Sequence, residues 1–212
     1  VDFFREASQM FHNKMPKYEI LSAEALDKLD QGWRRIVSEI GIEFMSERAL
    51  DLFRKAGQKI EGNNVKFDPD FVMEQVRKAP SEFDVQARNP KNSVHIGGDY
   101  MVFSSVYGPP FVCDGDVRRE ATMNDYENFT KLAQSFPELD SAGGVICEPN
   151  DASLDSRHID MTYALQTLTD KIYMGNVVSG PRAQDVLKMT EIVFGGRENS
   201  EKTPATISLI NC

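Results

Sequence analysis

Ser141–Gly175 reads SAGGVICEPNDASLDSRHIDMTYALQTLTDKIYMG. Its two ends, Ser141–Cys147 and Lys171–Gly175, are short apolar runs without alternation, and a longer segment with helical spacing, about Ser153 to Leu168, lies between them. A strand covered on both faces has no polar side to show, so this pattern predicts strand, helix, strand in a parallel sheet. Downstream, a helix is expected from Pro181 to Phe194, closed by Gly195-Gly196, and then a strand over Ala205–Ile210. Upstream, Thr122 with Asp125 resembles a capping box and opens a helix carrying Phe129, Leu132 and Phe136 on one face. Before it come a hairpin, Phe111 to Glu120 around Asp114-Gly115, and a strand-like run, Tyr100 to Val106, ended by the turn Tyr107-Gly108-Pro109-Pro110. The order βαβαβαβ implies α/β architecture with right-handed crossovers.

Two closures of such a sheet compete. Open nucleotide-binding sheets place a glycine-rich phosphate cradle after the first strand, and neither GxGxxG nor GxxxxGK[ST] occurs here. A barrel is therefore favoured, but a complete one needs about 250 residues and this chain of 212 offers four strands. Residues 98–212 read as the first four β/α units, the first half of a TIM (β/α)8 barrel, in a chain that stops behind a strand at Asn211-Cys212.

Residues 1–97 read as an N-terminal helical region with short strands. A helix capped by Ser22 runs to Gly41 with Leu26, Leu29, Trp33, Ile36, Val37 and Ile40 in one apolar stripe. A second runs from Ser46 to Gly57, and Asp68-Pro69 opens a third. After Pro80 the period becomes two, in Phe83, Val85 and Ala87 and again in Val94 and Ile96.

Composition excludes several classes. With 33 acidic against 24 basic side chains the net charge is −9, which repels polyanions and argues against nucleic acid and acidic membrane surfaces. No apolar run approaches the ~20 residues of a bilayer span. Three cysteines without CxxC spacing fit neither a disulfide framework nor a zinc site, and a cytoplasmic location is expected. The histidines, His12, His95 and His158, share no metal-ligand spacing, so no metal site is expected.

In a barrel the loops at the C-terminal ends of the strands converge on one mouth. That rule selects Tyr107, Glu148, Asn176 and Asn211 as substrate-binding candidates. Each has a plainer reading: Tyr107 as packing, Glu148 as a solvated loop acid, and Asn176 and Asn211 as turn formers. Cys147 and Cys212 have no histidine at the same rim to generate a thiolate. No catalytic residue is assigned.

The segments LSAEALDKLDQGWRRIVSEIGIEF (21–44), SERALDLFRKAG (46–57), VKFDPDFVMEQVRKAP (65–80), VYGPPFVCD (106–114), VRREATMNDYENFTKLA (117–133) and LTDKIYMGN (168–176), taken in this order, resemble the N-terminal part of the trimethylamine methyltransferase (MttB-like) family. That resemblance implies a corrinoid-dependent TIM-barrel methyltransferase of roughly twice this length. Such an enzyme moves a methyl group from a methylated or quaternary amine, trimethylamine or a glycine betaine-like compound, to a corrinoid carried by a separate protein. In trimethylamine-specific members a pyrrolysine lies in the second half, beyond Cys212, so no family catalytic residue can be placed here. No cofactor is expected on this chain itself. A methylated cation needs aromatic faces and carboxylates, which Tyr107 and Glu148 supply.

The alternative from another class is a noncatalytic interaction or oligomerisation module on a half-barrel scaffold. Either way, a half-barrel by itself is expected to be inactive. An exposed inner face would cost more than a typical domain's stability, so a homo-oligomer is expected, or cover by the helices of residues 22–79.

Overall fold

The computed structural model describes residues 10–202 and 204–209, which form two compact units, Met15–Ser81 and the remainder. The first strand in the chain, β1 (Phe11–His12), belongs to the larger unit.

In the smaller unit, α1 (Ala23–Arg35) begins where Ser22 Oγ accepts the Ala25 N–H at 3.2 Å. It continues as a π-helical turn, Ile36–Ile40, and stops at Gly41, whose φ of 82° favours glycine. Next come β2 (Ile42–Glu43), α2 (Glu47–Lys55) capped by Ser46, β3 (Lys59–Glu61), β4 (Asn64–Lys66) and α3 (Pro69–Val76) capped by Asp68. The strands form an antiparallel sheet in the order β2-β4-β3. Leu50, Val65 and Phe67 are its buried core, with Val37, Phe44, Phe53 and Phe71 packed around them. The apolar stripe of α1 is not a core face: Leu26, Leu29, Ile36 and Ile40 are each more than half exposed. The cluster is already filled by phenylalanines meeting edge to face, Phe53 and Phe67 at 4.9 Å, and only the Val37 side of the helix reaches it.

After β1, the larger unit resumes with β5 (Glu82–Val85), β6 (Val94–Gly97) and β7 (Tyr100–Met101), antiparallel with β1 in the order β1-β7-β6-β5. Val85 pairs with Val94, and both pack with Ala87 against Ile172, with Ile207 at the edge of the cluster. This sheet covers side chains that the sequence reading left open.

On the same sheet, His95 stands across from Asp84, with Nδ1 2.8 Å from Asp84 and Nε2 3.0 Å from Glu82. The hydrogen bonds to Asp84, and secondarily to Glu82, raise the imidazole's pKa. A raised folded-state pKa contributes stability that is fully present below the unfolded value near 6.5 and is lost as pH rises through the folded one. The melting-temperature deficit of His95→Gln is therefore expected to be largest near pH ~6 and to shrink toward pH ~8.5. A deficit that grows with pH would contradict the assignment.

Then follow the hairpin β8 (Phe111–Asp114) and β9 (Val117–Glu120), α4 (Met123–Ser135), α5 (Arg157–Leu168), α6 (Gly180–Val193) and α7 (Arg197–Lys202). The hairpin turns on Gly115-Asp116, one residue later than Asp114-Gly115. The capping box of α4 is present: Thr122 accepts the Asp125 N–H, and Asp125 accepts the Thr122 N–H at 2.9 Å. Asp125 also takes both terminal nitrogens of Arg119, at 2.6 and 2.8 Å, which holds its carboxyl well below the usual range. The buried face of α4 is Asp125, Tyr126, Thr130 and Ala133, while Leu132 and Phe136 stay half exposed. The Thr130 hydroxyl donates to the Tyr126 carbonyl, so a polar residue can face the core at little cost and small side chains allow close approach.

The four expected parallel strands are joined by single bridges rather than continuous ladders. Ser104 pairs with Ser141, Ser141 with Ile172, and Met174 with Ile207, all parallel. Side-chain hydroxyls take part of the ladder's work: Ser105 Oγ donates to Ala142 O, Thr206 Oγ1 to Tyr173 O, and Ser208 Oγ to Gly175 O. Gly143, at φ 83°, breaks the extended run. Together these explain why the apolar pattern is strand-like and the pairing is interrupted. The architecture is mixed helix and sheet, in keeping with the α/β class. Ile210 lies outside the described residues.

Candidate functional site

Tyr107, Glu148 and Asn176 follow three successive bridged segments, and all three line one cavity of about 500 Å³. Val145, Val177, Val178, Ala183 and Leu209 supply apolar wall, and Ser179-Gly180 opens α6 at its edge. Asn211 lies outside the described residues.

Each member is fixed from below. The Gly108 N–H donates to Val145 O at 2.6 Å and the Glu148 N–H to Pro109 O at 3.0 Å, tying the Tyr107 turn to the Glu148 loop. Tyr107 is about half exposed at 44%, and burial of the rest, then the negative charge of Glu148, pushes its phenol up. Gly144 lies beneath it: a Cβ there would stand 3.2 Å from Tyr107 Cε2 and 2.8 Å from the Met174 carbonyl oxygen. Asn176 is buried, its Nδ2 3.6 Å from the sulfur of Met161 on α5.

The Glu148 carboxylate accepts a hydrogen bond from Arg157 at 3.1 Å. Asn150 pins the intervening loop: its N–H donates to Ala121 O, and Nδ2 to Pro110 O at 2.9 Å and to Glu148 O at 3.2 Å. Sequence reasoning missed Arg157 and Asn150. A signal for Arg157 was available, since it opens α5, where the positive end of a helix disfavours a cation that has no other partner.

Other candidates stand apart from the cavity lining. His158 is buried, with Nε2 3.1 Å from Asp185 and Nδ1 without a hydrogen-bond partner among the described residues. Burial, reinforced by Asp125 and Asp151, pushes the Cys147 thiol up to about 11, which makes it a poor nucleophile. Among the described residues no group of three or more His, Cys, Asp or Glu is placed to hold a metal ion, and no helix is long and apolar enough to cross a membrane.

A cavity with an aromatic ring, one carboxylate, a buried amide and aliphatic walls suits a small cation with a polar appendage. A family model for trimethylamine methyltransferase (MTTB) matches residues 3–212. The chain is 42% identical over 198 residues to glycine betaine methyltransferase of Desulfitobacterium hafniense strain Y51, covering 93% of this chain and 41% of that protein. It is 28% identical over 155 residues to proline betaine:corrinoid methyltransferase of Eubacterium limosum, covering 72% of this chain and 30% of that protein. It is 24% identical over 187 residues to trimethylamine methyltransferase MttB of Desulfitobacterium hafniense strain DCB-2, covering 86% of this chain and 38% of that protein. The chain thus spans less than half the length of each of these relatives.

Proposed function

The chain belongs to the trimethylamine methyltransferase family, and from that premise we propose that it is the N-terminal part of a methyltransferase that passes a methyl group from a quaternary amine of betaine type to a corrinoid on a partner protein. Residues 98–212 would supply the first four units of a (β/α)8 barrel, with 1–97 preceding them; the parallel bridges between successive segments support this. The observation that carries the reading is the meeting of Tyr107, Glu148 and Asn176 around one cavity. The 42% identity to a glycine betaine enzyme favours that substrate type over trimethylamine.

The chemistry asks little of acids and bases. When the C–N bond breaks, its electron pair stays on nitrogen, so a quaternary ammonium leaves as a neutral tertiary amine and needs no proton. The partner's corrinoid is the methyl acceptor. The chain's own residues bind and orient. The Tyr107 ring attracts the cation, an effect worth about 0.5–2 kcal/mol. Glu148 provides the opposite charge, Asn176 a polar contact, and the valines and Leu209 exclude water.

The intact protein, given reduced corrinoid protein and glycine betaine, is expected to form one dimethylglycine for each corrinoid methylated, and residues 1–212 alone to give no turnover. A folded intact protein that demethylates no quaternary amine would overturn the proposal.

A further inference from the structure

Resting on that reading, we propose that Arg157 is a specificity-determining positioning residue: by pairing with Glu148 it cancels the net charge behind the cavity wall and selects a zwitterionic quaternary amine over a simple cation.

Arg157 is the less exposed member of the pair, 16% against 40% for Glu148, and it is not among the residues lining the cavity. It therefore acts through Glu148. Its place at the start of α5 is electrostatically unfavourable for the helix, and Ser156 provides no side-chain cap there, so helix stability does not account for it. The Glu148 backbone is held by Pro109 and Asn150, and the neighbouring Pro149 is fully buried, so the loop that carries the carboxylate is fixed beside Arg157. The pair engages only Oε2; Oε1 accepts no hydrogen bond from the described residues and remains available to a ligand. Glu148 is also the one carboxylate among the residues that line the cavity.

These facts set how two ligands are ranked. A bare carboxylate attracts an ammonium group and repels the carboxylate that a betaine carries one or two carbons away. Adding a guanidinium behind it leaves the contact with the ammonium largely intact, because that depends on the nearest charge. The more distant ligand carboxylate responds to the sum of the two charges, which is near zero, so its repulsion falls. A betaine gains relative to a simple cation.

The test measures dissociation constants of the intact protein for tetramethylammonium and glycine betaine by titration calorimetry. Arg157→Met is expected to shift the ratio of the two constants about tenfold toward tetramethylammonium, and Arg157→Lys to restore most of the original ratio. Glu148→Gln, which leaves the guanidinium unpaired, is expected to shift the ratio the other way. A purely structural role for Arg157 would weaken both ligands together with no change of ratio, and that result would overturn the assignment alone. If Arg157→Met does not fold, the same ratio measured for Arg157→Gln decides: a shift toward tetramethylammonium supports the proposal, and an unchanged ratio overturns it. Failure of both ligands to bind the unsubstituted protein would overturn the proposed function and this assignment with it.

Discussion

Replacing Tyr126 by alanine is expected to cost the larger unit about 3–5 kcal/mol, the range for truncating a buried aromatic side chain. Tyr126 is fully buried on α4, in the cluster formed by Ala133, Ala142, Val145, Ile146, Met161 and Leu165. Its ring joins the helix layer to the bridged segments, and its hydroxyl donates to the Gly144 carbonyl oxygen at 2.5 Å. Tyr126→Phe separates the two contributions: it keeps the ring and leaves a buried carbonyl short of a donor, at a cost of about 1–3 kcal/mol. Because Gly144 supports Tyr107, the phenylalanine variant is also expected to bind cations more weakly. Urea unfolding monitored by circular dichroism gives both stabilities. A loss of under about 1 kcal/mol for the alanine variant would mean that the cluster is looser than the burial of Tyr126 implies.

Legibility in the sequence followed the physics of each signal. Caps were plain because Ser22, Ser46, Asp68 and Thr122 each carry an oxygen that does one local job. The β3–β4 hairpin was overlooked although Gly62-Asn63 marks it, with Gly62 at φ 62° and Ile60 opposite Val65. Its strands are only three residues long, too short to establish a period. The outward stripe of α1 shows the limit of amphipathicity, which identifies an apolar face without saying what covers it. That Tyr107, Glu148 and Asn176 meet at one cavity was legible because strand ends follow from strand order. Asn150 could not be found in this way, since it acts through loop geometry that no periodicity encodes, and Arg157 sits at the start of α5 rather than at a strand end.

Gly144→Ala should cost about 1–3 kcal/mol and displace the Tyr107 ring, while Gly180→Ala, at the edge of the same cavity, should be neutral or slightly stabilising. The contrast lies in what each new methyl group meets. At Gly144 it would stand 2.8 Å from the Met174 carbonyl oxygen, 2.9 Å from Met174 Cβ and 3.2 Å from Tyr107 Cε2. Backbone cannot swing aside as a side-chain end can, and Met174 is bound through its N–H to Gly143 O at 2.8 Å, so the two segments must separate or the tyrosine must move. At Gly180, in the first turn of α6, nothing lies within 4 Å, and alanine only restricts the unfolded chain. Both residues border the same site, so general sensitivity of the cavity to mutation predicts equal effects, whereas the packing geometry predicts unequal ones. Unfolding midpoints and tetramethylammonium affinity of the two variants separate these accounts: equal losses at both positions would contradict the close approach of Gly144 to Met174 and Tyr107.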